Sequence, residues 1–334
     1  MLRKGLAALL SASLLLLSVG CASGQRQSGV VRLTYAEVNP KDSLMGQTAQ
    51  FFAEKVKELS KGTVEINLQA SGVLGAENDV LDTMVSNGGT IDISRVSAFS
   101  LVNYGCKKNA LLALPYTFKD RAHFWKFAKS DLATELLNEP NELQIGLHGL
   151  FFCEEGFRSF FFKNKVEKLS DLQHKKIRVS SDPIMTGTVN NLGAYATPIS
   201  FGELYSALQT NVVDAADQPV VNYESNAFNE VAPYFLLDEH TMGAAEVIMT
   251  DFAWNKLNDE QRKAVQEAGR LAAEHNQQLS QSFEDKVVEK LKSKGVHFIE
   301  VPNKEEWREA CRSTIERNIT GFEKQYEAIL AMEN

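Results

Sequence analysis

The sequence predicts an α/β protein in which helices cover a parallel sheet. Short runs of alternating apolar residues are each followed by a helical pattern, and this strand–helix–strand order is typical of parallel sheets. The 334 residues suffice for two lobes of ordinary size. Beyond the N-terminal segment no Pro/Gly/Ser-rich linker or repeat divides the chain. We therefore expect two lobes that share the chain through several crossings.

The first elements follow from apolar spacing and capping residues. A helix is expected to begin at Asp42 or Ser43, to bury one apolar face and to end at Gly62. The other expected elements of this part are strands at 30–38, 63–69 and 91–96 and a helix at 77–87.

Later elements are predicted in the same way. Three pairs have the spacing of a capping box: Ser170 with Gln173, Ser200 with Glu203, and Asn258 with Gln261. Asn211 is expected to end the second of these helices in the left-handed conformation, and the third helix is expected to reach about Lys294. The remaining elements are a helix near 120–138, two strands within 144–163 separated by Gly156, strands at 176–179, 212–216 and 296–301, and a terminal helix from Lys304.

The first 21 residues have the pattern of a secretory signal. Two basic residues precede an apolar run that is too short to span a bilayer comfortably, and small residues surround Cys21. This end resembles a bacterial lipobox, although Ser18 stands where leucine is usual. We expect a lipidated Cys21 followed by a flexible tether at 22–29, with ordinary signal cleavage nearby as the alternative.

Charge and cysteine content narrow the function classes. Removing the signal takes away two basic residues and no acidic one, so the net charge falls from −8 to −10. An acidic surface argues against nucleic acid or anionic lipid as a partner. Cys106, Cys153 and Cys311 would remain, and without a CxxC pair they indicate buried thiols, with one disulfide left open.

Common catalytic and cofactor motifs are missing from the sequence. None of the six histidines has HExxH spacing or lies near a cysteine pair, and the G-x-S-x-G, P-loop and dinucleotide glycine motifs do not occur. Glu154 and Glu155 are adjacent, so on a strand they face opposite sides and do not form an acid/base pair. The sequence thus disfavours an enzyme and predicts no metal site and no cofactor.

Three arginines stand in apolar, strand-like contexts: Arg95, Arg158 and Arg178. A guanidinium group is a planar fork of donors that fits a carboxylate bidentately, and a desolvated one needs an anion. That anion could belong to a ligand in a cleft. The alternative for each arginine is an internal salt bridge or a solvated strand face.

Five segments resemble the solute-binding proteins of tripartite ATP-independent periplasmic (TRAP) transporters, the DctP-like family. The resemblance spans about residues 30–330, and 170–240 is its most specific part. The segments are "VLGAE" (73–77), "LPYTF" (114–118), "LSDLQHKKIRV" (169–179), "ATPISFGELYSALQTNVVDAADQP" (196–219) and "YESNAFNEVAPYFLLDEH" (223–240).

The resemblance implies a two-lobed periplasmic binding protein fold, in which each lobe is a mixed or parallel sheet flanked by helices. A ligand cleft lies between the lobes, and one long helix spans both. The arginine of the "KIRV" strand, Arg178, would form the bidentate salt bridge with the ligand carboxylate, and Arg158 would be a second cationic contact. Gln218 stands where the family usually has a ligand-contacting asparagine.

The same segments look most like the branch that binds sugar acids such as uronates. Further candidate ligand contacts are Arg95, Gln218, Glu37, Glu239 and His240. Glu37 ends the first strand, where open α/β sheets place ligands, but a solvated loop carboxylate is the alternative. Arg95 could instead form a salt bridge within a lobe, and His240 could be an ordinary hinge histidine.

We therefore expect an extracytoplasmic receptor, lipid-anchored at the outer face of a bacterial membrane, that binds a uronate or aldonate and delivers it to a TRAP permease. The alternatives are a sensor for a membrane kinase or chemoreceptor, a binder of C4-dicarboxylates or other organic acids, and, least favoured, an enzyme on sugar acids. The expected parts are lobe I at 30–152 with a return of about 241–290, lobe II at 153–240, and C-terminal elements at 291–334 that pack across both.

Overall fold

The computed structural model describes residues 29–86 and 89–333, and in this part of the chain ten strands join in one mixed sheet. The predicted signal at 1–21, Cys21 and all of the tether except Gly29 lie outside the described residues. The strands are β1 (Val31–Ala36), β2 (Val64–Gln69), β3 (Ile93–Ser97), β4 (Leu147–Phe162), β5 (Lys176–Val179), β6 (Tyr195–Pro198), β7 (Ala215–Pro219), β8 (Tyr234–Leu237), β9 (Thr241–Thr250) and β10 (His297–Glu300).

Helices flank this sheet. Within the described ranges they are α1 (Leu44–Leu59), α2 (Glu77–Val85), α3 (Ala110–Ala113), α4 (Arg121–Ala128), α5 (Asp131–Glu142), α6 (Pro183–Asn191), α7 (Leu204–Gln209), α8 (Val220–Ser225), α9 (Asp251–Lys256), α10 (Asp259–Ser293), α11 (Lys304–Ala310), α12 (Arg312–Ile319) and α13 (Glu323–Ala331). Short 3₁₀ segments, such as Ala98–Tyr104, connect several of them. The predicted α/β class is confirmed.

The sheet has two halves joined through β4 and β9. Its order is β2-β1-β3-β9-β4-β7-β5-β6, with β8 beside β4 and β10 beside β8. Strands β1, β2 and β3 are parallel neighbours in one half, and β5, β6 and β7 are parallel neighbours in the other. Strands β4 and β9 pair antiparallel with each other, so the sheet is continuous rather than split into two.

Strand β4 crosses from one half to the other and bends on the way. The sequence predicts two strands within 144–163, but the structure has a single strand of 16 residues. Its pairing with β9 shifts register between Glu154 and Phe157, and Gly156 within this bulge has φ of +91°. A bulge of this kind bends the strand without ending it, and glycine tolerates the positive φ.

The long helix α10 connects both halves. Its N-terminus has the predicted capping box, in which the Asn258 side chain accepts from Gln261 N and the Gln261 side chain accepts from Asn258 N. It contains 35 residues, so it is about 50 Å long. It packs against α1 and β4 and also against α8 in the other half. The predicted long helix is confirmed, and it ends at Ser293.

Aromatic side chains form much of the core under α1. Phe52 of α1 is fully buried, and its ring lies 6.3 Å from that of Tyr35 and 5.3 Å from that of Phe151. Burying a side chain of this size contributes about 2–3 kcal/mol. Ser43 begins the helix as predicted, since its Oγ accepts from Gly46 N at 3.1 Å. This packing holds the C-terminal end of β1 and part of β4 in place beside α1.

Two of the predicted capping boxes are wrong. Near Ser170 the backbone N–H groups of Glu167 and Lys168 are accepted by the Asp171 carboxylate, at 3.0 and 3.3 Å. Ser200 donates its hydroxyl to the Glu203 carboxylate at 2.6 Å and caps no backbone group. In each case a nearby carboxylate is the stronger acceptor.

Helix breaks were also missed. The helix predicted near 120–138 is two helices, because Ser130 Oγ accepts from Ala133 N and starts α5. The terminal helix predicted from Lys304 is three helices, α11 to α13, with Gly321 at φ +87° before the last. The helix predicted at 77–87 ends at Val85. By contrast, Asn211 has φ of +62°, as expected.

Candidate ligand-binding site

A cavity of about 180 Å³ lies where the C-terminal ends of the parallel strands of both halves meet. This edge is where open α/β sheets bind ligands. The cavity is about the size that holds a six-carbon ring, for which about 150 Å³ suffices. The polar and charged residues that line it include Asn39, Glu77, Arg95, Ser100, Glu155, Arg158, Arg178, Gln218 and Asn222.

Arg178 lies on β5 and faces this cavity. Its neighbours Ile177 and Val179 are buried in the core, and alternation along the strand turns Arg178 to the opposite side. The side chain is only 1% exposed, and Nε donates to the Ile199 carbonyl at 2.8 Å. No carboxylate among the described residues forms an ion pair with it, and Nη1 is buried without a hydrogen-bond partner.

Because Arg178 is buried and no described carboxylate pairs with it, its pKa is lower than that of an ordinary arginine. Burial, assisted by the nearby Arg158 cation, lowers the pKa of Arg178 to about 10, although Asp217 acts in the opposite direction. The guanidinium is still charged at neutral pH. The cavity therefore contains a buried cation that the described part of the protein does not neutralise by a direct contact.

Arg158 comes from β4 and is held by its own counter-ion. Nε donates to Asp217 Oδ2 at 2.6 Å, and Nη2 donates to the Asp217 carbonyl at 3.1 Å. The guanidinium also lies 5.6 Å from the centre of the Phe99 ring. Burial works against ionisation of Asp217, but Arg158 and His240 hold the pKa of that carboxyl well below its ordinary value.

His240 and Glu239 lie outside the cavity. His240 is fully buried, with Nδ1 at 2.5 Å from Asp238 Oδ2 and Nε2 at 3.4 Å from Asp217 Oδ2. Burial lowers the pKa of His240, but these two carboxylates outweigh it and raise the pKa to about 9. Glu239 pairs instead with Lys304 and lines a different cavity. The structure thus does not bring either side chain to the site.

Arg95 enters the cavity from β3, and carboxylates surround it. Glu37 takes two of its nitrogens, Nη2 at 2.7 Å and Nε at 3.2 Å. Glu155 and Glu77 lie 3.2 and 3.5 Å from Nη1. The alternative of an internal salt bridge therefore holds for Arg95, and Glu37 is its partner behind the cavity wall. These carboxylates raise the pKa of Arg95 well above its ordinary value, although burial acts against them.

The bulge in β4 decides which residues of this strand face the cavity. Residues three apart on a regular strand face opposite sides. The extra residue at the bulge brings Glu155 and Arg158 to the same side, where both line the cavity. Glu154 faces away and accepts from Arg121 Nε at 2.9 Å. The prediction that Glu154 and Glu155 face opposite sides is thus confirmed.

A family model for bacterial extracellular solute-binding proteins, family 7 (DctP), matches residues 35–320. The chain belongs to this family. It is a family of solute-binding proteins rather than of enzymes, and its members are extracellular.

Solved structures of DctP-family relatives agree with the fold. A TRAP periplasmic solute-binding protein from Pseudomonas putida F1, with bound D-glucuronate, is 27% identical, has a TM-score of 0.86, and the match covers 90% of this chain and 96% of that one. One from Xanthobacter autotrophicus Py2, with bound β-D-galacturonate, is 26% identical, has a TM-score of 0.85, and the match covers 90% and 99%. The predicted two-lobed periplasmic binding protein fold and the TRAP relationship are confirmed.

A curated relative extends the comparison beyond uronates. The sialic acid-binding periplasmic protein SiaP of Vibrio cholerae is 26% identical over 265 residues, which are 79% of this chain and 81% of the relative. All three of these relatives thus have a carboxylate-bearing sugar in their descriptions.

Sequence reasoning missed several polar residues of this DctP-family site. Glu77 accepts from Ser100 Oγ at 2.5 Å, and Asn222 Nδ2 donates to Glu155 Oε2 at 2.9 Å. Asn39 donates from both its backbone and side chain to Glu37. A signal existed for one of them, because Glu77 ends the "VLGAE" segment.

The predicted candidate Gln218 lines the cavity. It is 4% exposed, and its side chain forms no hydrogen bond with a described residue.

In residues 29–86 and 89–333 no group of His, Cys, Asp and Glu side chains could hold a metal ion. The same ranges contain no helix both long and apolar enough to cross a membrane. Cys106, Cys153 and Cys311 are buried free thiols.

Proposed function

We propose that this protein captures a sugar acid, a uronate such as glucuronate or galacturonate or an aldonate, and delivers it to a TRAP permease. The observation that carries the proposal is Arg178, a buried cavity arginine whose terminal nitrogens bind no described carboxylate. Because Nε is taken by the Ile199 carbonyl, Nη1 and Nη2 are the donors left for a bidentate ligand carboxylate.

Other groups of the cavity suit the rest of such a ligand. Arg158 is fixed by Asp217 and would add a second cationic contact. Gln218 would hydrogen-bond to the carboxylate or to a hydroxyl, and Arg95, held in place by Glu37, would donate to a hydroxyl from the opposite side. The cavity volume and the sugar acids bound by the two solved relatives support a ligand of monosaccharide size.

We propose that binding closes the cleft between the two lobes, a hinge motion about the segments that cross between them. Lobe I would comprise 30–152 with the return at about 241–290, lobe II 153–240, and 291–334 would pack across both. The closed form would be the one that the permease recognises. The bend of β4 at Gly156 and the start of β9 at Thr241 are the crossings that support this division.

We also propose that Cys21 carries the lipid that holds the receptor at the outer face of the membrane. The small residues around Cys21 support this, with the apolar run before it. Metabolic labelling with a fatty-acid probe would test it. Label that is incorporated into the wild type and lost in Cys21→Ala is the expected result, and equal labelling of both would contradict it.

The receptor proposal is tested by ligand binding to the chain without the signal and Cys21, residues 22–334. A thermal-shift screen against uronates, aldonates, C4-dicarboxylates, sialic acid, 2-oxo acids and amino acids identifies the ligand, since a ligand of the native state raises the midpoint. Calorimetric titration of the best ligand then compares Arg178→Lys with wild type. Lysine keeps the charge but lacks the fork, so we expect affinity to fall about 10–100-fold.

The control is Arg270→Lys, which changes an exposed arginine that pairs with Glu267 and Glu274 on α10. Its affinity should match the wild type. An unchanged affinity in Arg178→Lys would contradict the bidentate assignment. A shift with a different class of acid only would keep the receptor and overturn the sugar acid. A screen in which no acid shifts the midpoint would contradict carboxylate capture itself.

A further inference from the structure

Glu155 presents a buried acceptor to the cavity that nothing in the described protein satisfies. The residue is 3% exposed, and its Oε2 accepts from Asn222 Nδ2 at 2.9 Å. Oε1 lies 3.2 Å from Arg95 Nη1 as an ion pair, but the two atoms lack hydrogen-bond geometry, and Oε1 has no hydrogen-bond partner among the described residues. Buried oxygens of this kind are normally hydrogen-bonded, so a donor from the ligand is expected here.

Asn222, next to Glu155, also has one side-chain atom that is hydrogen-bonded and one buried oxygen without a described partner. Its amide nitrogen is taken by the Glu155 carboxylate, and Oδ1 is buried without a described partner. Both residues line the cavity. Two neighbouring buried oxygens therefore accept and do not donate. A ligand hydroxyl satisfies such an acceptor, whereas a ligand carboxylate has no proton to give at neutral pH.

The charges around Glu155 also favour a ligand hydroxyl over a ligand carboxylate at this end of the cavity. Glu37, Glu77 and Glu155 all lie around the single guanidinium of Arg95, so three carboxylates face one cation. A second anionic group of the ligand placed here meets an excess of negative charge in a buried site. The opposite balance exists at Arg178, which is a cation without a described counter-ion.

Strand order separates these two environments. Arg178 is on β5, Glu155 is on β4, and β7 lies between them. Two strand spacings of about 4.8 Å separate β4 from β5. Arg95 lies on β3, on the other side of β4 from β5. The cavity therefore has a cationic side at Arg178 on β5 and an acceptor-rich, anionic side at Glu155 on β4 and at the carboxylates around Arg95 on β3.

We propose that Glu155, supported by Asn222, is a specificity-determining residue that selects acids whose far end carries hydroxyl groups and rejects dicarboxylates. This inference rests on the proposed function, because Arg178 must take the first carboxylate for the far end of the ligand to reach Glu155. The chemical class selected is the polyhydroxy monocarboxylic acid.

The test is calorimetric titration of D-glucuronate, D-gluconate and D-glucarate with wild type and Glu155→Gln. Gluconate and glucarate differ only at the sixth carbon, a hydroxymethyl group in one and a carboxylate in the other. The wild type should bind its better monoacid at least 100-fold more tightly than glucarate. Glutamine removes the charge and adds a donor, so Glu155→Gln should reduce this ratio at least tenfold, with glucarate binding gained.

Glu267→Gln is the control, because it makes the same chemical change at an exposed carboxylate that pairs with Arg270 on α10 and does not line the cavity. It should leave the ratio unchanged. Asn222→Ala is a second variant in case Glu155→Gln fails to fold, and it should weaken the monoacid about tenfold without admitting glucarate.

Three results would overturn the inference: wild type binding glucarate within threefold of the monoacid, Glu155→Gln leaving the ratio as it was, or Glu155→Gln still excluding glucarate. Where Glu155→Gln does not fold, an Asn222→Ala affinity equal to wild type overturns it. A wild type that binds no sugar acid contradicts the proposed function instead, so the two failures are distinguishable.

Discussion

Arg95 and Arg178 are two arginines of the same cavity in opposite situations. They are 3% and 1% exposed, and each lies near the end of a parallel strand. Arg95 has three carboxylates within 3.5 Å. Among residues 29–86 and 89–333 Arg178 has one hydrogen bond, to the Ile199 carbonyl. Burial is common to both, so the difference between them lies in the counter-ion.

This difference supports Arg178 rather than Arg95 as the proposed anchor of the ligand carboxylate. Arg95 is compensated within the protein and stabilises the wall of the cavity. Arg178 carries the desolvation cost of a buried cation without a described anion, which is a cost that ligand binding would relieve. Arg158 is intermediate, since Asp217 takes one edge of its guanidinium. Three arginines that look alike in sequence therefore differ in how far the described protein compensates their charge.

The largest expected effect is that of Arg95→Met, which removes the compensated cation. Glu37, Glu77 and Glu155 would lose their common partner, and breaking a buried charge cluster by removing one side costs about 3–5 kcal/mol. Urea unfolding of the ligand-free protein should show this loss in the free energy of unfolding. Arg32→Met is the control, because Arg32 is exposed and pairs loosely with Glu65 at 3.7 Å. A loss below about 1 kcal/mol would contradict the inference that Arg95 compensates these three carboxylates.

The next effect concerns Glu246, a buried carboxyl that is the acidic counterpart of Arg178. Its Oε2 accepts from Asn109 Nδ2 at 2.9 Å, Oε1 has no described partner, and burial raises the pKa of Glu246 from 4.5 to about 8. The folded state therefore holds a proton that the unfolded state releases near pH 4.5. This contribution to stability is complete below that pH and is lost as pH rises towards 8.

Glu246→Gln keeps the shape and removes this titration. From pH 5 to pH 8.5 the wild type should lose stability relative to the variant, by an amount on the order of a few kcal/mol. Urea unfolding at pH 5, 7 and 8.5 measures it, with the half-exposed Glu65→Gln as control. A constant difference between wild type and Glu246→Gln across this range would show that Glu246 does not titrate as inferred.

The smallest expected change in stability is that of Arg178→Met, and it tests the difference between Arg178 and Arg95 most directly. Arg178→Met should abolish ligand binding and yet leave the ligand-free protein at least as stable as wild type, with a gain on the order of 1 kcal/mol. The reason is that methionine removes a buried charge whose pKa is lowered to about 10. Thermal and urea unfolding without ligand provide the measurement. A destabilisation comparable to that of Arg95→Met would mean that Arg178 has a structural partner after all.

Local signals in the sequence predicted much of the secondary structure. Ser43 and Asn258 cap the helices that the sequence assigns to them, and α10 ends within a residue or two of the expected end. Local signals gave the wrong prediction where a neighbouring side chain competed for the same hydrogen bonds. Asp171 replaced Ser170 as the acceptor of backbone N–H groups. The Gly156 bulge was read as a break, because a glycine between apolar runs looks the same whether a strand bends or ends.

By itself the sequence determined the α/β class and the family and made Arg178 a candidate, because these inferences depend on apolar periodicity and on contiguous motifs. Only the tertiary structure decided which arginine is compensated. Arg95 meets Glu37 across 58 residues of chain, and Arg158 meets Asp217 across 59. The side of the sheet to which Glu155 points depends on a one-residue bulge in β4. Charge pairing depends on distances of a few ångströms between residues far apart in the chain, and sequence spacing does not contain those distances.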